Sequence, residues 1–178
     1  MELNPTAYVI LGMLSWRPMS GYDIKAIVDN STRFFWAASY GQIYPELRRL
    51  AEAGLIEAES SEGVRRRQAY KLTPAGRGQL RAWLTEEPTT FELRDEGLLK
   101  LFFASASPST AAGTLEAKRR EHEAALARLR EIEATGKPEG SAYAVLRYGI
   151  EFNEWAAEWC ERARAELEGE ADDRRKVA

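Results

Sequence analysis

Gln42, Tyr40, Tyr44, Arg48 and Arg49 crowd into residues 39–49 and do not make a catalytic set. An amide carries donor and acceptor together, a phenol does both through one oxygen, and a guanidinium offers a planar fork of donors. Such groups reach base edges and phosphates in the major groove of DNA. To do so together they must share the free face of one helix. Ile43, Leu47 and Leu50 recur at i, i+4 and i+7 and predict the buried face. Gln42, Pro45, Arg48 and Arg49 then fall on the opposite side, with Tyr44 at its edge. Ser39 and Gln42 have capping-box spacing and Gly54 is a stop signal, so the spacing predicts a helix over 39–53. Pro45 removes one intrahelical hydrogen bond, and a local distortion is expected there. Ser39, Tyr40, Gln42, Tyr44, Pro45, Arg48 and Arg49 are the candidate DNA-facing residues on this helix. Taken alone, the same face also suits a solvated helix surface.

The flanking elements narrow the choice. Residues 55–59 and 68–72 read as two short strands, joined by a polar turn with Gly63 and the cluster Arg65, Arg66 and Arg67. Thr73 is a good N-cap and Pro74 a natural first helical residue, so a further helix opens there. Helix, hairpin with a basic tip, and helix is the order of a winged helix-turn-helix. The three arginines then lie along the sugar-phosphate backbone or in the minor groove, or else merely keep the turn soluble. Upstream, Ser20 and Asp23 open a helix whose apolar face is Ile24, Ile27 and Val28. Residues 7–14 are apolar almost all round. A helix of that kind must be covered on every side, and a second domain or a partner chain is expected to help.

These residues resemble the PadR-like family of transcriptional regulators. The matching pieces are Tyr8-Val-Ile-Leu-Gly-Met-Leu, Ser20-Gly-Tyr-Asp-Ile, Gly41-Gln-Ile-Tyr-Pro-Glu-Leu-Arg-Arg-Leu, Gly54-Leu-Ile and Arg67-Gln-Ala-Tyr-Lys-Leu-Thr-Pro-Ala-Gly. They keep the family's order over residues 5–84, and all in register they are fairly specific. The resemblance implies that Tyr22 and Lys25 lie near phosphates and that the chain represses. Its length and helical C-terminal half are similar to the larger PadR subfamily.

The chain has 178 residues, 44% hydrophobic and 30% charged, and a net charge of −3. That sign argues against DNA binding until the distribution is read. Residues 33–81 hold nine Arg/Lys against five acids, whereas residues 91–178 hold 14 against 18. Positive charge is thus concentrated where the fold reading puts the DNA face. A single cysteine, Cys160, excludes an internal disulfide framework. No apolar run is long enough to span a membrane, and the first residues lack a leader pattern. A cytoplasmic protein is expected.

Residues 1–86 are expected to form the winged domain, 87–94 a linker, and 95–178 an α-helical dimerisation and effector domain. The overall class is mainly α with a small β-hairpin. The C-terminal half reads as a short helix over 95–104, a long charged helix to about 134, and a last helix over 141–167 with a frayed tail. The charged helix carries the stripe Leu115, His122 and Leu129, with Ala125 and Ile132. The last helix has two apolar faces. Tyr143, Leu146, Ile150, Ala157 and Cys160 form one, and Tyr148, Phe152, Trp155 and Trp159 the other. One packs on the chain's own helices. The second calls for another subunit, so a homodimer is expected, joined through Tyr148, Phe152, Trp155 and Trp159 together with Tyr8 and Leu11 of the first helix. A two-fold dimer suits an inverted-repeat operator with half-sites about 34 Å apart. The aromatic stripe is otherwise plain packing, or the wall of a pocket for a small planar aromatic or phenolic ligand, built from Trp16, Trp155 and Trp159.

The sequence shows no phosphate-cradling glycine loop, nucleophile elbow, metal motif or histidine positioned by an acid. No enzyme activity, cofactor or metal is expected. The alternative from another class is a winged helix used only for protein-protein contact, which has no need of a basic wing.

Overall fold

A computed structural model describes residues 3–59, 68–88, 94–107, 110–136 and 139–177. The chain forms two compact units, Met1–Thr90 and Phe91–Ala178.

In the first unit, helix α1 spans Pro5–Leu14 and starts two residues ahead of the apolar run at 7–14. Asn4 Oδ1 accepts the Ala7 N–H at 2.9 Å, and Pro5 occupies the first turn, where its missing N–H costs nothing. Strand β1, Met19–Ser20, leads directly into α2, Gly21–Asp29. Ser20 and Asp23 cap each other reciprocally, with the Ser20 N–H and hydroxyl both donating to Asp23 Oδ2. A 3-10 turn at Thr32–Phe34 precedes α3, Tyr40–Glu52. The α3 helix ends on Gly54, whose φ of 70° is left-handed. Leu55 N–H then returns to Leu50 O at 2.9 Å and Gly54 N–H to Ala51 O at 3.0 Å, which closes the helix end. The expected distortion at Pro45 does not interrupt α3, which is continuous through it. Proline there removes only the one bond that its N–H would have made to Gly41 O.

Strands β2, Ile56–Ala58, and β3, Ala69–Leu72, form the expected antiparallel pair. The sheet has three strands, in order β1-β3-β2, because Met19 and Ser20 pair with Tyr70 and Ala69. A two-residue strand has no periodicity to read, so the sequence offered only the hairpin. Helix α4, Pro74–Thr85, starts on the Thr73 hydroxyl, which accepts the Gly76 N–H and donates toward Gly54 O.

The core of this unit joins Ile10, Leu11, Met19, Ile24, Val28, Ile43, Leu47, Leu50 and Ile56, all essentially inaccessible to water. This corrects the expectation for α1. Its Ala7, Ile10, Leu11, Met13 and Leu14 are buried by elements of its own unit. Leu11 is 0% exposed and has no surface left to offer a partner. Tyr8 is half-buried and stacks on Trp83 of α4, ring centroids 4.4 Å apart.

The second unit holds α5, Glu96–Phe102, α6, Ala111–Gly136, and α7, Gly140–Val177. Leu115 and Leu129 of α6 are buried, as are Leu146, Ile150, Ala156 and Cys160 of α7. Burial pushes the Cys160 thiol up, away from the reactive thiolate. His122 Nδ1 lies 2.9 Å from Asn153 Oδ1. The Asn153 amide nitrogen donates to Gly149 O at 2.7 Å, so its oxygen faces the imidazole and the proton sits on Nδ1. Asp95 caps α5 through Leu98 N–H at 2.9 Å and also binds the buried Lys118. The tail expected to fray is helical to Val177. Glu, Ala, Arg and Lys dominate it, and all favour helix over coil. Arg164 adds i−3 and i+4 pairs to Glu161 and Glu168.

Candidate nucleic-acid interface

Tyr22 on α2 and Tyr40 and Tyr44 on α3 form an exposed aromatic row. Successive ring centroids are 6.5 and 6.1 Å apart, with planes inclined by 21° and 24°. All three rings are between 43% and 44% exposed, although each belongs to an element rooted in the core. At Gly21 the α2 helix meets Tyr44 of α3 with no side chain of its own. A Cβ on Gly21 would lie 2.9 Å from Tyr44 Cε1 and 3.0 Å from Leu47 Cδ1.

Lys25, expected near phosphates from the family resemblance, is already engaged. It binds Asp29 one turn on, and its Nζ sits 5.5 Å from the centroid of the Tyr40 ring. The hydrogen bond from Lys25 holds the Asp29 carboxyl below its usual range. Ser39 and Gln42 cap α3. Gln42 Oε1 accepts from Ser39 N–H at 2.9 Å and from the Ser39 hydroxyl at 3.1 Å. The amide nitrogen of Gln42 is the end left to face outward. Pro45 and Arg48 are exposed, and Arg48 has no ion-pair partner among the described residues.

Arg49 differs from its reading as a free guanidinium. Its Nε lies 3.1 and 3.2 Å from the two oxygens of Glu46, and its Nη2 lies 2.7 Å from Oε1. That hydrogen bond raises Arg49 further above its usual range. Glu46 itself is buried on α3, where only an apolar face was expected. Arg65, Arg66 and Arg67 of the basic turn lie outside the described residues.

The aromatic residues expected at a ligand site or a subunit contact fall into both units. Trp16 follows α1 and is 64% exposed. On α7, Tyr148, Phe152 and Trp155 are exposed and line up ring by ring, with centroids 6.2 and 6.3 Å apart. Trp159 is half-buried in its own unit, so the free stripe is shorter than the sequence spacing gave. His122 meets the edge of Phe152 at 5.9 Å. Among the described residues no cluster of His, Cys, Asp and Glu is able to hold a metal, and no helix is long and apolar enough to cross a membrane.

Asn4, Gly21 and Glu46 are the residues sequence reasoning missed. The signal for Asn4 was present, since Asn-Pro before an apolar run marks a helix start. Glu46 and Arg49 have i, i+3 spacing, which is suggestive but does not reveal a buried carboxylate.

Comparison with known proteins accounts for both units. Residues 10–82 match the model of the transcriptional regulator PadR-like family, and residues 93–168 that of the virulence activator alpha C-terminal domain. The negative transcriptional regulator PadR of Bacillus subtilis is 37% identical over 101 residues, a match spanning 55% of this chain and 56% of that protein. A PadR-like regulator from Bacillus cereus superposes with a TM-score of 0.83 at 27% identity, covering 93% of this chain and 99% of that one. Bacillus subtilis PadR in complex with operator DNA superposes with a TM-score of 0.81 at 29% identity, covering 92% and 99%. The same regulator in complex with p-coumaric acid gives 0.73 at 28% identity, covering 94% and 99%. The first unit is therefore a winged helix-turn-helix of the PadR-like family of transcriptional regulators, followed by a helical unit that matches the virulence activator alpha C-terminal domain.

Proposed function

We propose that this chain is a cytoplasmic, dimeric repressor that reads an inverted-repeat operator through α3 and leaves it when a small planar aromatic ligand binds. The family is one of transcriptional regulators, not of enzymes. The exposed Tyr22–Tyr40–Tyr44 row, continued by Gln42, Pro45 and Arg48, carries the reading. The Tyr22 hydroxyl addresses phosphates, while Tyr44, Arg48 and the Gln42 amide nitrogen face the major groove and meet base edges. Arg65, Arg66 and Arg67 follow the backbone or the minor groove. Residues 1–86 read DNA, and residues 95–178 join two subunits through Tyr148, Phe152 and Trp155. The operator complex and the p-coumaric acid complex of the Bacillus subtilis relative support both halves of the reading. A ligand favouring a dimer with the wrong half-site spacing lowers affinity tenfold for each 1.4 kcal/mol, roughly. Trp155 and Trp159 of α7 are the aromatic residues proposed to meet it.

Fluorescence anisotropy with a labelled duplex covering the promoter of its own gene tests this. Affinity should fall steeply with salt. Adding p-coumaric acid should quench tryptophan fluorescence and release the duplex. Salt-independent or absent binding rejects the DNA reading. Quenching without release rejects the regulatory one.

A further inference from the structure

Asn4, Glu46 and Arg49 form a polar chain that links the start of α1 to the free face of α3. Glu46 is only 6% exposed, and a carboxylate in that position is costly unless its oxygens are bonded. Both are. Arg49 grips them through Nε and Nη2, and Asn4 Nδ2 donates to Oε2 at 2.9 Å. The other end of the Asn4 amide is occupied by the Ala7 N–H. Asn4 is thereby fixed at both ends, and Glu46 cannot swing from Arg49 without losing its bond to the end of α1.

This leaves Arg49 with one usable edge. Its side chain is 37% exposed, and Nη1 makes no hydrogen bond among the described residues. Arg49 follows Gln42 and Pro45 at i+7 and i+4, so it shares their strip of the exposed face. Exposed ion pairs on helices contribute little to stability. This pair differs because its acid is buried and a third residue holds that acid. Its consequence is direction: an arginine already stripped of rotamer freedom gives up less on making a contact.

We propose that Glu46 is a positioning residue that aims Arg49 Nη1 at a phosphate of the duplex, and that Asn4 holds Glu46 in place. The proposal rests on the DNA-binding reading and assigns the DNA backbone as the ligand of Arg49.

The test uses the full chain and the labelled promoter duplex, with far-UV circular dichroism as a check on folding. Arg49→Ala should weaken binding about tenfold, as expected for a charge-assisted contact. Arg49→Lys keeps the charge but cannot be gripped along two nitrogens, and should bind nearly as poorly. Glu46→Gln should lose affinity severalfold. Asn4→Ser retains a good N-cap for α1 while deleting the bond to Glu46, and should do the same with the fold intact. In the Arg49→Ala background neither change should weaken binding further, because both act through Arg49. The proposal is overturned if Asn4→Ser and Glu46→Gln bind as the parent does. It is equally overturned if their losses simply multiply with that of Arg49→Ala, which is the signature of general destabilisation. A parent chain that binds neither promoter nor random-sequence duplex removes the DNA-binding reading itself.

Discussion

Gly21 lies directly beneath the ring of Tyr44, so closely that a Cβ there would stand 2.9 Å from Cε1 and 3.1 Å from Cζ. The glycine at the first position of α2 therefore sets where a phenol on α3 points. Gly21→Ala should move that ring more than it harms the fold, because the nearest atoms belong to side chains that turn aside. We expect a stability loss of about 1–2 kcal/mol by urea denaturation. Operator affinity should drop more than affinity for random duplex. Equal losses on both duplexes would show that Tyr44 takes no part in discrimination.

Gln42 has its carbonyl oxygen committed to Ser39, so the proposed base contact falls to its amide nitrogen alone. A single donor discriminates less than a bidentate amide. Gln42→Ala should change base preference at one position per half-site by about 1 kcal/mol, the low end for such contacts. Selection from a randomised operator library checks this. A loss of 3 kcal/mol there would mean that Gln42 gives up its cap on binding DNA.

Phe152 and Trp155 place two large rings side by side on the exposed stripe of α7. A chain of 20.1 kDa that pairs through them should scatter light as about twice that mass. Trp155→Glu puts a charge into the contact and should give the monomer at micromolar concentration, with far-UV circular dichroism unchanged. A Trp155→Glu protein that stays dimeric would move the interface elsewhere.

Asp95 contributes to how the second unit responds to acid. Burial pushes its carboxyl up, but the bonds from Lys118 and from the Leu98 and Gly97 N–H groups outweigh this and leave it below the usual range. A depressed folded value stabilises the unit above the unfolded value, near pH 4, and that contribution is lost as pH falls through the folded value. Thermal melts of the parent should therefore lose stability below about pH 4. In Asp95→Asn that acid-dependent loss should shrink, with lower stability at pH 7. Identical pH profiles for the two proteins would refute this role.

Local signals were the legible ones. Capping pairs, the Ile43–Leu47–Leu50 spacing and the glycine at 54 lie within a few residues of what they control, and they gave α3 almost to its ends. What depends on distant partners was not legible. Arg49 looks free until Glu46 is found held beside it by Asn4, which precedes that acid by 42 residues. The α1 helix looks in need of a partner until α3, α4 and β3 are found packed against it. Trp159 continues the i+4, i+3, i+4 spacing of the stripe, yet it is half-buried, because the spacing does not report where the other helices of its unit lie.

The Asn4–Pro5 junction has a chemical consequence over the life of the molecule. Asparagine side chains age by attack of the following backbone nitrogen on their own amide, which closes a succinimide and then opens to an acid. Pro5 has no N–H with which to begin that attack. The amide that spans α1 and Glu46 is thus shielded from spontaneous conversion to a carboxylate. Such a conversion would set two negative groups face to face at hydrogen-bonding distance. The residue that starts the first helix thus also preserves the chemical identity of its cap.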